Sequence, residues 1–263
     1  MAILLDNGAL VGRLKNLSFY QQQSTGKVIV RFKRGVSKKR IKNDPAYART
    51  RKLNRDFGAC SRAVGNIRYP LYRLLHLADY NFSPVLQVVC KNIQERDDQH
   101  KLGEKNIYFS RFAYLLKGFQ LNQKNTFDSL VRHPLECTIN KETGTAIISI
   151  PELQAGVNLF LPWKSPYYRL RITFGVVPDE LFSVTPQPME DAALAEDFMG
   201  EWQPVRQRSA AQQVEMKLDE HLYKPEEGYA VVVSVGIEMG TPLTDKLIEI
   251  VPRQGAAKIL AAG

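Results

Sequence analysis

The side chains best equipped to do chemistry in this sequence are cationic. Lys27, Arg31, Lys33, Arg34, Lys38, Lys39, Arg40, Lys42, Arg51, Arg55 and Arg62 lie in residues 27–73, a stretch with fifteen Lys or Arg against two acids, Asp44 and Asp56. Its net +13 exceeds the formal +9 of the chain, so everything else sums to −4. The basic character therefore belongs to one segment. Phosphate contact is the chemistry that such a segment offers. Lys and Arg that neutralise phosphates release counterions, which supplies affinity without sequence preference. Arginine suits the role because its planar fork matches two phosphate oxygens at once. Tyr20, Phe32 and Tyr47 add aromatic surface on which bases of a single strand can stack, although each fits a core equally well.

Nucleic acid has two competitors as the meaning of this charge. One is a solvated face with no partner, the usual meaning of a charge run. Against it, exposed helices ordinarily mix signs to form i,i+4 pairs, and self-repulsion of this size is better tolerated when a partner neutralises it. The second competitor is an acidic protein surface. Between Arg171 and Arg206 there is no Lys or Arg, but there are seven acids: Asp179, Glu180, Glu190, Asp191, Glu196, Asp197 and Glu201. The basic arm of one copy could dock on this 179–201 loop of a neighbour, head to tail, to build a homo-oligomer.

Catalytic patterns are sparse. His76, His100, His133 and His221 are far apart and lack carboxylates or cysteines at metal-ligand spacing. His133 and Cys137 stand four apart, but Pro134 opposes a regular helix there, so a loop histidine beside a buried strand cysteine is expected. Ser24-Thr25-Gly26-Lys27 resembles the end of a phosphate loop, yet it lacks the upstream glycine and precedes a strand pattern where a helix is required. No GxSxG, HExxH or GxGxxG occurs. A triad assembled from distant residues would escape pattern search. The expectation is a non-enzymatic binding protein with no catalytic residue, metal or cofactor.

The elements that position the cations can be read from periodicity. In residues 1–35 Leu17 and Phe19 share one face of a strand, 23–26 supply turn chemistry, and Val28, Val30 and Phe32 alternate with Arg31 and Lys33. This predicts a β-hairpin with a leading strand and with one apolar and one cationic face. Residues 35–43 read as a flexible linker. Asn43 or Asp44 can cap a helix that opens at Pro45. Leu53, Phe57, Cys60, Val64 and Ile67 form its apolar stripe, with Arg51, Arg55 and Arg62 opposite and Gly65 a candidate end. Leu71, Leu74, Leu75 and Leu77 suggest a second helix, and Ser83-Pro84 opens a third. Residues 94–105 read as loop, and 107–121 lean towards helix.

From about residue 130 the pattern becomes β. Glu136–Asn140 and Thr145–Ile150 flank a four-residue turn. Strand alternation recurs at 168–174, 214–218, 229–237 and 247–251, separated by Pro and Gly turns. The expected fold class is α+β: an N-terminal β-hairpin plus a small helical unit in residues 1–128, then a C-terminal antiparallel β-sandwich or open barrel in residues 129–263. Composition agrees with a globular chain, 44% hydrophobic and 24% charged. Residues 2–5 are too short an apolar run before Asp6 for a signal peptide, and no run approaches a bilayer span, so a cytoplasmic protein without membrane contact is expected. Three widely spaced cysteines, 60, 90 and 137, fit a reducing compartment.

Gly12-Arg13-Leu14-Lys15-Asn16-Leu17-Ser18-Phe19-Tyr20, with Gly26-Lys27-Val28-Ile29-Val30-Arg31, resembles a family of uncharacterised bacterial proteins. In that family a GxxGNLxFY…GKxVVR hairpin precedes a basic linker, an arginine-rich helix and a β domain. Lys15 stands where the family's second glycine usually sits. Tyr167-Tyr168-Arg169-Leu170 and Gly236-Ile237-Glu238 look like its C-terminal part. The resemblance implies an α+β layout and a cytoplasmic, non-enzymatic protein, and it brings no activity, ligand or catalytic residue.

Overall fold

Alternation in the first residues builds more sheet than one hairpin. The structure is a computed structural model that describes all residues except 1, 5–7, 9, 23–24, 33–34, 184–194, 220–227 and 245–246. Strands β1 (Ala2–Leu4), β2 (Leu10–Leu14), β3 (Leu17–Gln21) and β4 (Val28–Phe32) form an antiparallel meander in that order. The expected hairpin is its β3–β4 pair, with Leu17 opposite Phe32 and Phe19 opposite Val30. Between β2 and β3, Leu14 pairs with Leu17 across the two-residue turn Lys15-Asn16. Lys15 takes φ 50 there, the left-handed region that a tight hairpin turn imposes and glycine meets most readily. A lysine therefore holds a backbone conformation that L side chains rarely adopt.

The expected linker is partly helical. Residues Lys38–Asn43 form α1, because Ser37 caps the helix by accepting from the Arg40 amide and Arg40 bridges to Asp44 four residues on. Asp44 then caps a 3₁₀ turn, Pro45–Tyr47, that runs into α2 (Ala48–Arg68). Asp44 is one of the two caps expected for a helix opening at Pro45.

Two compact units divide the chain, Met1–Arg51 and Lys52–Gly263. The boundary expected at 128/129 falls inside the second. Its physical cause is a shared core: the helices in this stretch have no partner layer of their own and bury their apolar faces on the β-sheet that follows. In α2 the buried residues are Asp56, Ala59, Cys60, Ala63, Val64 and Ile67. Leu53 and Phe57, expected in that stripe, are 46% and 64% exposed. The inward position is held instead by Asp56, whose carboxylate accepts the Gly103 amide at 3.0 and 3.1 Å. Gly65 does not end α2, which continues to Arg68.

The expected second helix is a 3₁₀ segment, Tyr72–Leu77, whereas α3 (Ser83–Glu95) opens at Ser83-Pro84 as expected. Residues 107–121 contain only short pieces, α4 (Phe109–Phe112) and a 3₁₀ turn, before the chain extends to pair Gln120 with Lys258. A last short helix, α5 (Phe127–Leu130), is capped by Thr126.

The β part is a two-sheet packing that does not close into a barrel. β5 (Glu136–Asn140), β6 (Thr145–Ile150) and β10 (Gln212–Lys217) make a three-stranded sheet. β7 (Tyr167–Pro178), β8 (Ala195–Met199), β9 (Gln203–Pro204), β11 (Tyr229–Thr244) and β12 (Leu247–Ala262) make a five-stranded antiparallel one. Odd-numbered β11 residues Val231, Val233, Val235 and Ile237 pack with Ile148, Ile150 and Val214 of the smaller sheet. The even residues Ala230 and Val232 pack with Ile67, Leu74, Leu86 and Phe109 of the helical layer. The central sheet is therefore buried on both faces, which is why β11 reads as a nearly unbroken apolar run. Gly236 lets the layers close: a Cβ there would lie 2.7 Å from Leu74 and 2.8 Å from Leu77. Among the described residues no helix is long and apolar enough to cross a membrane.

Candidate nucleic-acid interface

The first unit, Met1–Arg51, contains twelve Lys or Arg and two Asp, net +10; set against a chain total of +9, the second unit carries −1. The net positive charge thus resides in the smaller unit. Its strands place Arg13 and Arg31 on one side of the sheet, because Arg13 and Ser18 are cross-strand partners, as are Ser18 and Arg31. Tyr20 shares that side, and the Arg31 guanidinium lies over its ring at 5.2 Å. Lys38, Lys39 and Lys42 are exposed on α1. Lys27 is exposed just before β4, and Arg49 is exposed near the start of α2.

Not every expected cation is free. Arg40 bridges Asp44 at 3.0 Å and sits over Tyr47 at 5.9 Å. The Asp44 carboxyl is held below its ordinary value, first by the hydrogen bond from the Ala46 amide and then by the one from the Arg40 side chain. Arg51 is half-buried and donates from Nη1 to the carbonyls of Ile41 and Asp44, both at 2.8 Å, so it braces the α1 corner. Lys33 and Arg34 lie outside the described residues. Arg13, Lys15 and Arg49, which no sequence pattern singles out, are exposed without a carboxylate partner among the described residues. Arg13 and Lys15 lie outside the basic stretch in the sequence; the first unit groups them with it.

In the second unit Arg55 is exposed, with its guanidinium 6.0 Å from the Phe182 ring. Arg62 donates from Nε to Glu180 at 2.7 Å and is neutralised there.

Of the five described acids of the 179–201 stretch, three are employed inside their own unit. Asp179 accepts the Ser110 amide at 2.8 Å and its hydroxyl at 2.6 Å. Glu180 is buried beneath Arg62. Asp197 receives both arms of Arg171, at 2.8 and 2.6 Å, with Arg73 at 3.9 Å. Glu196 is half-buried on β8 and Glu201 is exposed. Glu190 and Asp191 lie outside the described residues.

The most concentrated charge constellation is invisible as a motif. Glu238 on β11 is fully buried and accepts from Arg169 at 2.6 Å, from His76 at 3.1 Å and from Arg171 at 3.4 Å. Arg169 is its cross-strand partner and also lies over the Trp202 ring at 4.4 Å. Burial by itself raises the Glu238 carboxyl, but the hydrogen bonds and charges of His76 and Arg169 overcome this and hold it at about 2. The network ties β7, β8, β11 and the 3₁₀ segment together. Its only trace in the sequence is Arg169 and Arg171 alternating with buried residues.

The remaining reactive groups are quiet. Burial pushes the Cys60 and Cys137 thiols up to about 11 and Cys90 higher still, so they remain protonated, poor nucleophiles near neutral pH. His133 is exposed in a loop and Cys137 is half-buried on β5, with the histidine lining an open cleft of about 440 Å³ beside Glu136, Ser149 and Gln213. Among the described residues no group of three His, Cys, Asp or Glu could hold a metal ion. Comparison with known proteins returns no matching family model, no matching curated protein and no matching solved structure.

Proposed function

We propose that this protein is a non-enzymatic binding protein whose first unit contacts a polyanion, with nucleic acid read without sequence preference as the partner. One observation carries the reading: all of the chain's net positive charge resides in residues 1–51, and Lys27, Arg31, Lys38, Lys39 and Lys42 there are exposed with no carboxylate partner among the described residues. Arg13, Lys15 and Arg49 extend the set to eight. The Arg31–Tyr20 pair supports it further, since a stacked guanidinium beside an aromatic ring suits both phosphate and base faces. Arg40, Arg51 and Arg62 drop out of the contact set because each already has a partner within its own unit. The same employment of Asp179, Glu180 and Asp197 takes away the reason to dock the basic arm on the 179–201 loop of another copy.

If about six to eight phosphates are contacted, affinity for random-sequence DNA or RNA should fall by roughly 10³–10⁴ between 50 and 200 mM salt. The triple variant Lys38→Glu, Lys39→Glu, Lys42→Glu should weaken binding to unrelated sequences alike and lower the steepness of the log–log salt plot by about three. Fluorescence anisotropy across a salt series measures both. No binding at low salt, or a triple variant that binds like the parent, overturns the reading.

A further inference from the structure

The register of the N-terminal sheet sorts its side chains into two unlike faces. Cross-strand partners point to the same side, so Leu14, Leu17 and Phe32 share a face with Phe19 and Val30, and alternation adds Leu10 and Val28. No charged residue stands on this face at the described positions. Arg13 and Arg31 occupy the other, together with Ile3, Val11, Tyr20 and Ile29. Leu14 is 53% exposed, Val28 39%, Val30 52% and Phe32 69%, and none of the described side chains of Met1–Arg51 is buried. A sheet with one apolar face gains its stability by covering that face, and on this one Leu14, Val28, Val30 and Phe32 are exposed while Leu10, Leu17 and Phe19 are half-buried.

We infer that the protein self-associates through this face, two copies stacking their β1–β4 sheets about a two-fold axis into a sandwich with the cationic sides outward. Two features favour a second copy. An uncharged apolar face meets the same patch on a second copy under two-fold symmetry, with no like charges opposed across the contact. Its size also fits: the four exposed side chains leave roughly 400 Å² of apolar surface per copy, within the range of functional patches. A pair of such faces with their rims comes to about 1,000 Å², the lower end for a specific interface. Stacked sheets lie about 10 Å apart, and each outward Arg13 and Arg31 is further from its counterpart than the screening length of about 8 Å at physiological salt. Arg13 and Arg31 are therefore kept away from the seam.

The test is mass against concentration for the full chain, by sedimentation and light scattering. Buried area does not by itself set affinity, so the threshold for association is placed at about 10 μM, in the micromolar range of weak interfaces. Dimers should form above that concentration and survive added salt. Val30→Asp should give monomers, and Phe32→Ser, which introduces no charge, should weaken association about tenfold or more. Both should leave the unfolding transition of the second unit unchanged. A parent that stays monomeric, a dimer that persists in both variants, or a dimer that salt dissociates overturns the inference. A monomeric parent whose first unit is nonetheless destabilised by Val30→Asp would show that its own chain covers the face, and it overturns the inference equally.

Discussion

At the scale of single residues, Glu238 is the side chain on which most charge converges, and it illustrates what a buried acid costs and returns. Replacing one partner of a buried ion pair leaves the other uncompensated, so Glu238→Gln, which strands Arg169 while Arg171 keeps Asp197, should destabilise the protein by about 3–5 kcal/mol. The pH dependence follows in sign. The carboxyl is depressed from an ordinary 4.5 to about 2. Its contribution, on the order of 3 kcal/mol, is therefore fully present above the ordinary value and is lost as pH falls towards the folded one. Urea unfolding of parent and variant along an acid series measures this. An equal loss of stability in both on acidification would place the acid sensitivity elsewhere. Periodicity and charge runs do not show what Glu238 pairs with, because its partners are separated from it by 67, 69 and 162 positions.

At the scale of elements, α2 shows how far periodicity carries and where it stops. Cys60, Val64 and Ile67 of the expected inward stripe are buried, whereas Leu53 and Phe57 are exposed because Asp56 and Ala59 face the interior instead. A stripe of the right spacing fixes a helix, but the neighbours decide which turn of it is covered. Gly65 lies inside this helix, and a Cβ there meets nothing within 4 Å. Gly65→Ala should then stabilise by about 0.5–1 kcal/mol through reduced backbone freedom of the unfolded chain, seen as a raised urea midpoint with an unchanged slope. A lowered midpoint would mean the site has a packing role that the geometry does not contain. Short-range signals are legible: the β3–β4 and β5–β6 hairpins and the start of α3 follow from turn residues and alternation. The α1 helix is not, because its Ser37 cap lies hidden in a run of like charges.

At the scale of the whole molecule, a small cationic unit is joined to a larger, nearly neutral one of about four times its length. The two proposed contacts of the first unit draw on opposite physics. Phosphate binding is electrostatic and weakens with salt, whereas stacking of an apolar sheet face is driven by surface removed from water and is not screened. Raising salt should therefore release nucleic acid while leaving the dimer intact, which one titration followed by both anisotropy and light scattering would show. Joint loss of both signals would mean that a single charged surface serves the two contacts.

The sequence by itself determined the charge segregation, the strand and helix periods and the α+β order of elements, since these depend on neighbours a few positions apart. Tertiary structure alone decided which arginines remain free, that residues 52–128 share a core with the β-sheets, and that Glu238 gathers Arg169, Arg171 and His76. The reason is physical: charge and period are sums over local residues, whereas pairing and burial depend on distances that exist only once strands and helices far apart in the chain have packed together.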